Sequence, residues 1–254
     1  MPLYTAKFRF YQELNDFLPY EYKKKSLQYK FKGNPSVKDA IEAMGIPHTE
    51  VDLIIANSKS VDFSYQLHDR DFIAVYPEFE SIDISSVQKL RQKPLRKTKF
   101  ILDVQLGKLA KNLRILGFDT LYKNNYKNKQ IIKISRQEHR IILTRNKALL
   151  KNKTVTHGYW IRNTYPELQL REIIKRFDLK TQIKPFTRCL MCNGKIVTVK
   201  KNEIDEYLLP KTKKNFNEFF QCSKCKKIYW KGSHFKKMKN KINLIINQQS
   251  LWNG

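Results

Sequence analysis

Two sets of residues in this 254-residue chain have types and spacings that carry chemistry. The first is Cys189-Leu190-Met191-Cys192 with Cys222-Ser223-Lys224-Cys225, two Cys-x-x-Cys pairs separated by 29 residues. Each pair presents two thiolates to one ion, and four thiolates complete a closed tetrahedral Zn²⁺ shell. All four cysteines of the chain fall in this pattern, which predicts a zinc ribbon. Zn²⁺ is expected over other soft-site metals because nothing in the sequence suggests redox work. Such a site is structural, since a Cys₄ shell leaves no open position for a reactant. Asn193-Gly194 follows the first pair, where a glycine permits a tight turn. The second set centres on Asp103, which ends the apolar run Phe100-Ile101-Leu102. A helical pattern follows at once, with Leu106, Leu109, Ala110 and Leu113 at spacings of three and four. A carboxylate where a buried strand gives way to a helix is where open α/β sheets place their chemistry. Asp also caps helices well, and the spacing alone leaves both roles open.

The elements that must position these residues alternate in type. Residues 99–104, 119–123, 140–145 and 155–161 read as strands, and 105–116, 128–138, 146–151 and 166–176 as helices. This βαβ rhythm over residues 99–182 predicts an α/β domain with a parallel sheet covered by helices. Residues 183–238 then carry the cysteine pairs and short strands of the ribbon, and 239–254 form a lysine-rich amphipathic tail, either helical or solvated. Ahead of the α/β domain, residues 1–85 form a small mixed domain and 86–98 a basic linker. Strands are predicted over 5–14, 22–31, 51–57 and 71–77, with a turn at Asn57-Ser58-Lys59-Ser60. A helix runs from Val37 to Met44, capped by Ser36, with Asp39 in its first turn and Gly45 as its stop. Strand–strand–helix–strand–strand resembles the ubiquitin-like β-grasp fold, and in particular the small sulfur carriers. The matching residues are Ser36-Val37-Lys38-Asp39-Ala40-Ile41, Ile54-Ile55-Ala56-Asn57 and His68-Asp69-Arg70-Asp71 before Phe72-Ile73-Ala74-Val75. Carriers of that kind act through a free C-terminal Gly-Gly. Here Pro77-Glu78-Phe79-Glu80 leads on into more chain, so the domain is read as a docking or structural module.

Fifty Lys and Arg against 23 Asp and Glu give a net charge of +27. The excess is uneven. Residues 1–90 hold 11 basic and 13 acidic residues, whereas 91–254 hold 39 basic and 10 acidic. A polycation behind a near-neutral domain points to a polyanionic partner, and to nucleic acid over membrane. No stretch approaches the roughly 20 apolar residues of a membrane span, and MPLYTAKFRF has no apolar signal-peptide core. The chain is therefore expected in the cytoplasm, where thiols stay reduced and serve metals more often than disulfides.

The α/β region and ribbon together resemble the mut-seven C-terminal ribonuclease family, a PIN-like nuclease fold joined to a zinc ribbon. The residues that carry this are Phe100-Ile101-Leu102-Asp103, Leu106-Gly107-Lys108-Leu109-Ala110 and Leu113-Arg114-Ile115-Leu116-Gly117-Phe118. Ile142-Leu143-Thr144-Arg145, Arg188-Cys189-Leu190-Met191-Cys192-Asn193-Gly194 and Tyr229-Trp230-Lys231-Gly232-Ser233-His234 complete the match. Bacterial members often carry a ubiquitin-like domain in front. PIN-like nucleases cut RNA with clustered Asp and Glu that hold Mg²⁺ or Mn²⁺, because hard cations want anionic oxygens. The resemblance implies acids at Asp103, at the start of the second helix and just after the Thr-Arg of the third strand. The last two positions read Asn128 and Asn146 in this chain. An amide offers a carbonyl oxygen without the charge that holds a divalent ion against water. Glu138 and Glu167 are the nearest remaining acids, and Glu167 is the better substitute.

Three functions follow from these readings. The leading one is an RNA-binding protein with impaired nuclease activity, its partner a structured RNA, tRNA or the ribosome. Lys108, Lys111, Arg114, Arg145 and Lys147 would then contact RNA from the α/β domain, and Trp230, Lys231 and His234 from the ribbon. Tyr229 and Trp230 are equally suited to packing the ribbon against its neighbour. The second is an active Mg²⁺- or Mn²⁺-dependent ribonuclease that uses Asp103. The third is an adaptor whose ubiquitin-like domain binds a protein partner while the basic part localises it.

Overall fold

A computed structural model of the chain describes residues 2–77 and 98–247, so most of the linker predicted over 86–98 and the last residues of the tail, 248–254, lie outside the described residues. The N-terminal part runs β1 (Leu3–Phe10), β2 (Ser26–Lys32), α1 (Val37–Ala43), β3 (Leu53–Ala56), β4 (Lys59–Val61) and β5 (Phe72–Tyr76). The α/β part runs β6 (Lys99–Leu102), α2 (Gly107–Ile115), β7 (Asp119–Leu121), α3 (Asn128–Glu138), β8 (Ile141–Thr144), α4 (Lys147–Leu150), β9 (Gly158–Trp160) and α5 (Pro166–Arg176). The remainder is β10 (Ile196–Val199), α6 (Pro210–Asn215), β11 (Phe219–Cys222), β12 (Ile228–Trp230) and α7 (Ser233–Asn247). The chain divides into two compact units, Met1–Lys97 with Ile132–Trp160, and Thr98–Ile131 with Ile161–Gly254.

The first unit contains a five-stranded mixed sheet in the order β2-β1-β5-β3-β4. β1 is antiparallel to β2 and parallel to β5, the arrangement a β-grasp requires. The alternation in β1 sends Ala6, Phe8 and Phe10 inward, where they meet Val37, Ala40 and Ile41 of α1. α1 starts where expected, with the Ser36 hydroxyl accepting from the Asp39 amide, and Gly45 leaves it at φ +99°. Two expectations are corrected here. The first strand ends at Phe10, because Gln12 takes φ +45° and the chain turns into a 3-10 segment that buries Leu14 and Phe17. A short strand, β4, pairs with β3 after the turn at Asn57-Ser58, where only a turn was predicted. This unit also holds the parallel pair β8–β9 and the intervening α4.

In the second unit β6 pairs in parallel with β7. α2 packs its Leu109, Ala110 and Leu113 inward, and Phe100 meets Phe118 and Phe177 edge-on. Gly117 is required where α2 ends: it sits at φ +94°, and a Cβ there would lie 2.1 Å from the Lys184 carbonyl oxygen. Parallel pairing at both β6–β7 and β8–β9 agrees with the predicted α/β class. β10, β11 and β12 form an antiparallel three-stranded sheet beside the cysteines. The tail predicted from residue 239 is continuous with the ribbon, since α7 starts at Ser233 and runs through to Asn247. Among the described residues no helix is long and apolar enough to cross a membrane.

Candidate functional site

The four cysteines converge. Their Sγ atoms all lie within 4.8 Å of one another, with Cys189 3.6 Å from Cys225 and Cys192 3.4 Å from Cys222. These separations are far beyond the ~2.05 Å of a disulfide. They suit four sulfurs about 2.3 Å from a central ion, so this donor set can hold a metal. Among the described residues the cysteines are the one group of three or more His, Cys, Asp or Glu side chains that meets in this way. The first knuckle is tightened by Asn193, whose amide donates to the Cys189 carbonyl at 2.9 Å, and by the Cys189 amide donating to the Gly194 carbonyl at 2.8 Å. The left-handed turn falls on Asn193 at φ +67°, not on Gly194. Gly194 is needed for space: a Cβ there would stand 2.7 Å from Cys222 Sγ and 3.3 Å from Cys192 Sγ.

Hydrogen bonds tune the sulfurs. Burial works to raise the Cys189 thiol, but the Tyr229 hydroxyl at 3.0 Å and the amides of Cys192 and Met191 outweigh it and bring it down to about 6. Burial pushes Cys192 up to about 12, with its cysteine neighbours adding to the rise. Burial and the adjacent sulfur also raise Tyr229, which keeps its hydroxyl as a donor to Cys189.

Asp103 lies at the carboxyl end of β6 and is 6% exposed. Its Oδ1 accepts from the Gln105 amide at 3.1 Å, so it caps the turn that leads into α2. Asn128 opens α3 and is exposed. Asn146 follows β8: its amide donates to the Thr144 hydroxyl at 2.9 Å, and its Oδ1 accepts from the Ala148 amide at 3.0 Å to cap α4. Glu167 is exposed in the first turn of α5, where a carboxylate suits the positive end of the helix. Glu138 accepts from Arg140 Nε at 2.8 Å, so its carboxylate already holds a buried guanidinium.

The predicted RNA contacts separate into two groups. Lys108 and Lys111 are exposed on α2, and Trp230, Lys231 and His234 are exposed on the ribbon. Lys231 pairs with Glu218 at 2.5 Å on the surface, and Arg145 is half-buried. Arg114 is a correction. At 3% exposure it donates Nε to the Thr120 carbonyl at 2.9 Å and Nη1 to the carbonyls of Leu190 and Met191 at 2.9 and 3.1 Å. Its guanidinium ties α2 and β7 to the first cysteine pair, and burial lowers its pKa from the usual value. Lys147 is a second correction: it is half-buried, with its ammonium 3.9 Å above the Trp160 ring and 4.8 Å from that of Phe17.

Several positioning residues were missed. Asn193 accepts from the Thr120 amide at 2.9 Å and donates to Asp119 at 2.7 Å, while Arg188 pairs with Asp119 at 3.3 Å. These contacts seat the first knuckle on β7. In the other unit, Glu50 is 1% exposed and accepts from the Trp160 amide at 2.6 Å. His48 reaches Glu42 with one ring nitrogen, at 2.5 Å, and the Val155 carbonyl with the other, at 2.6 Å. The Trp160 ring lies tilted against Phe17, centroids 4.9 Å apart, so the β-grasp sheet and the β9 strand share one core. Asn193 was marked in the sequence only by its place after the first cysteine pair, and Arg114 only as a charge inside the apolar run Leu113-Arg114-Ile115-Leu116.

Comparison with protein families adds two matches. The Mut7-C RNAse domain matches residues 98–242, and the Mut7-C ubiquitin model matches residues 3–83. No curated relative and no solved structure matches the chain. The RNAse-domain match spans more than half of the sequence and takes in Asp103, both cysteine pairs and the contacts that hold the first pair on β7. The chain belongs to the Mut7-C RNAse domain family, with the family's ubiquitin-like domain in front.

Proposed function

We propose that this protein binds RNA and that its nuclease centre is impaired. One observation carries the reading: two of the three acid positions implied by the family pattern are Asn128 and Asn146, and the Asn146 side-chain oxygen is engaged as the cap of α4. A hard divalent ion held by Asp103 with two amides would keep most of its affinity for water, and each missing charge weakens stabilisation of the leaving oxygen. That donor set does not fit a tight Mg²⁺ or Mn²⁺ site. RNA affinity needs only cations and stacking faces, and the 39 basic residues beyond residue 90 supply the first. In this reading the four cysteines hold Zn²⁺, which Cys₄ sites favour and which fixes the ribbon without taking part in a reaction. The ubiquitin-like domain buttresses β9 through Phe17 and Glu50 and the residues ahead of it through the His48 contact with Val155, and in this reading it also docks a protein partner. Cysteines spaced to serve a metal instead of disulfides accord with a cytoplasmic location.

The second reading, a ribonuclease that depends on Asp103 and Mg²⁺ or Mn²⁺, is favoured by the place of Asp103 at the end of β6, with Glu167 as its other acid. Calorimetric titration with Mg²⁺ and Mn²⁺, paired with cleavage of single-stranded RNA and tRNA, separates the two. The expected result is intact RNA and no micromolar metal binding beyond the cysteine site. RNA cleavage by the wild-type protein that Asp103→Ala abolishes would overturn the proposal.

A further inference from the structure

An open groove of about 1040 Å³ lies on the ribbon beside the cysteine knuckles. This exceeds the ~300–1,000 Å³ range of small-molecule pockets and leaves room for more than one nucleobase. Its lining includes the rings of Tyr207, Tyr229, Trp230 and Phe235. Tyr229 is held by its bond to Cys189, and Phe235 by a ring contact of 4.5 Å with Phe186, so both stand on the metal-bearing scaffold. Trp230 at 39% exposure and Tyr207 at 75% leave ring surface open to solvent. The polar members of the lining are Lys226, Lys227, His234, Ser233 and Gln221, and no carboxylate is among them. α7 begins at this rim, and the first turn of this 15-residue helix carries no acidic residue to offset its positive end.

We propose that this groove seats unpaired bases of single-stranded RNA: Trp230 and Tyr207 stack on the bases, and Lys226, Lys227 and the start of α7 take the flanking phosphates. The inference rests on the RNA-binding reading and adds the form of RNA recognised. Aromatic faces between cations are what a single strand needs, because every base offers a π-face. A duplex hides its bases and engages the cations alone.

The test is fluorescence anisotropy on the full-length protein with a labelled oligouridine, a labelled oligoadenosine and an RNA duplex of equal length. The single strands are expected to bind more tightly than the duplex. Tyr207→Ala and Trp230→Ala should each weaken single-strand binding about 5- to 150-fold, the range that base–aromatic stacking spans, and leave duplex binding unchanged. Lys226→Ala with Lys227→Ala should reduce the slope of log affinity against log salt by about 1.4, at ~0.7 per cation on a single strand. Trp230 packs near Phe216, so a folding defect in Trp230→Ala is covered by the exposed Tyr207→Ala. Equal affinity for single strand and duplex, or wild-type binding by folded Tyr207→Ala and Trp230→Ala, would overturn the groove while RNA binding itself stands. No salt-sensitive binding of either RNA would overturn both.

Discussion

Replacing Arg114 by Met separates two roles that the sequence cannot distinguish. As an RNA contact, Arg114 would lose affinity and little stability. As a buried tie, it loses stability and no direct contact with RNA. Three bonds go with the guanidinium, to the carbonyls of Thr120, Leu190 and Met191. A bond from a charged donor contributes about 1.5–3 kcal/mol. Thr120 is fully buried and has no water to replace its donor, whereas Leu190 and Met191 lie nearer the surface and can be rehydrated. Burial of the charge opposes the total, as the lowered pKa of Arg114 indicates. The net expectation is a loss of about 3 kcal/mol, or roughly 6–12 °C in the unfolding midpoint at ~2–4 °C per kcal/mol for a protein of this size. Arg114→Lys should rescue little of this, because an ammonium cannot fork to carbonyls on two elements. A phosphate contact, by contrast, would accept lysine. The assay is calorimetric unfolding of both variants beside their RNA affinity. A midpoint shift under 2 °C together with a tenfold loss of RNA binding that lysine restores would refute the buried-tie assignment.

Gly194→Ala places a Cβ against Cys222 Sγ. It should lower the metal content below one equivalent per chain and speed transfer of the metal to a chelator, measured by elemental analysis and a colorimetric chelator. Trp160→Ala removes the ring contact with Phe17 and the face beneath the Lys147 ammonium. A loss of about 2–4 kcal/mol is expected from the emptied site and the cation–π contact, read as faster hydrogen exchange in both β9 and the β-grasp core. Glu50→Gln keeps an acceptor for the Trp160 amide and should cost less than Glu50→Leu, which leaves that amide without its side-chain acceptor; chemical denaturation measures the difference.

The parts of the fold that are local in sequence were legible. The cap at Ser36, the alternation in β1 and the change of period at Asp103 each follow from a few neighbouring residues; the first and last are where expected, and β1 alternates as expected but stops four residues early at Phe10. The cysteine site was legible for the same reason, since two short repeats define it. The missed features depend on distant partners. Glu50 and Trp160 are 110 residues apart, and His48 and Val155 are 107 apart, so no periodicity records their contact. Charge misled in one respect. Arg114 and Lys147 count toward the polycation, yet the first is bound to backbone carbonyls and the second sits over aromatic rings. A residue's contribution to an electrostatic surface is set by its burial, which composition does not contain.

The segment after β8 suggests a way to test the proposed effect of the two amides. Thr144 accepts from the Asn146 amide, Asn146 accepts from the Ala148 amide, and Lys147 lies against Trp160. The turn is thus internally satisfied, and turning the Asn146 oxygen toward a metal would sacrifice a cap worth about 1 kcal/mol for a ligand without charge. Aspartate caps a helix as well as asparagine does, and at position 128 it would stand at the start of α3, where a negative charge is favourable by about 0.3–1 kcal/mol. Asn128→Asp with Asn146→Asp should therefore fold with unchanged or slightly raised stability, which frees the metal readout from a folding defect. If these two positions are what weakened the centre, the double variant gains Mn²⁺ affinity of at least tenfold by calorimetry, and Asp103→Ala in the same background removes the gain. A double variant that is folded and no better at binding Mn²⁺ would place the defect elsewhere than in the two lost charges.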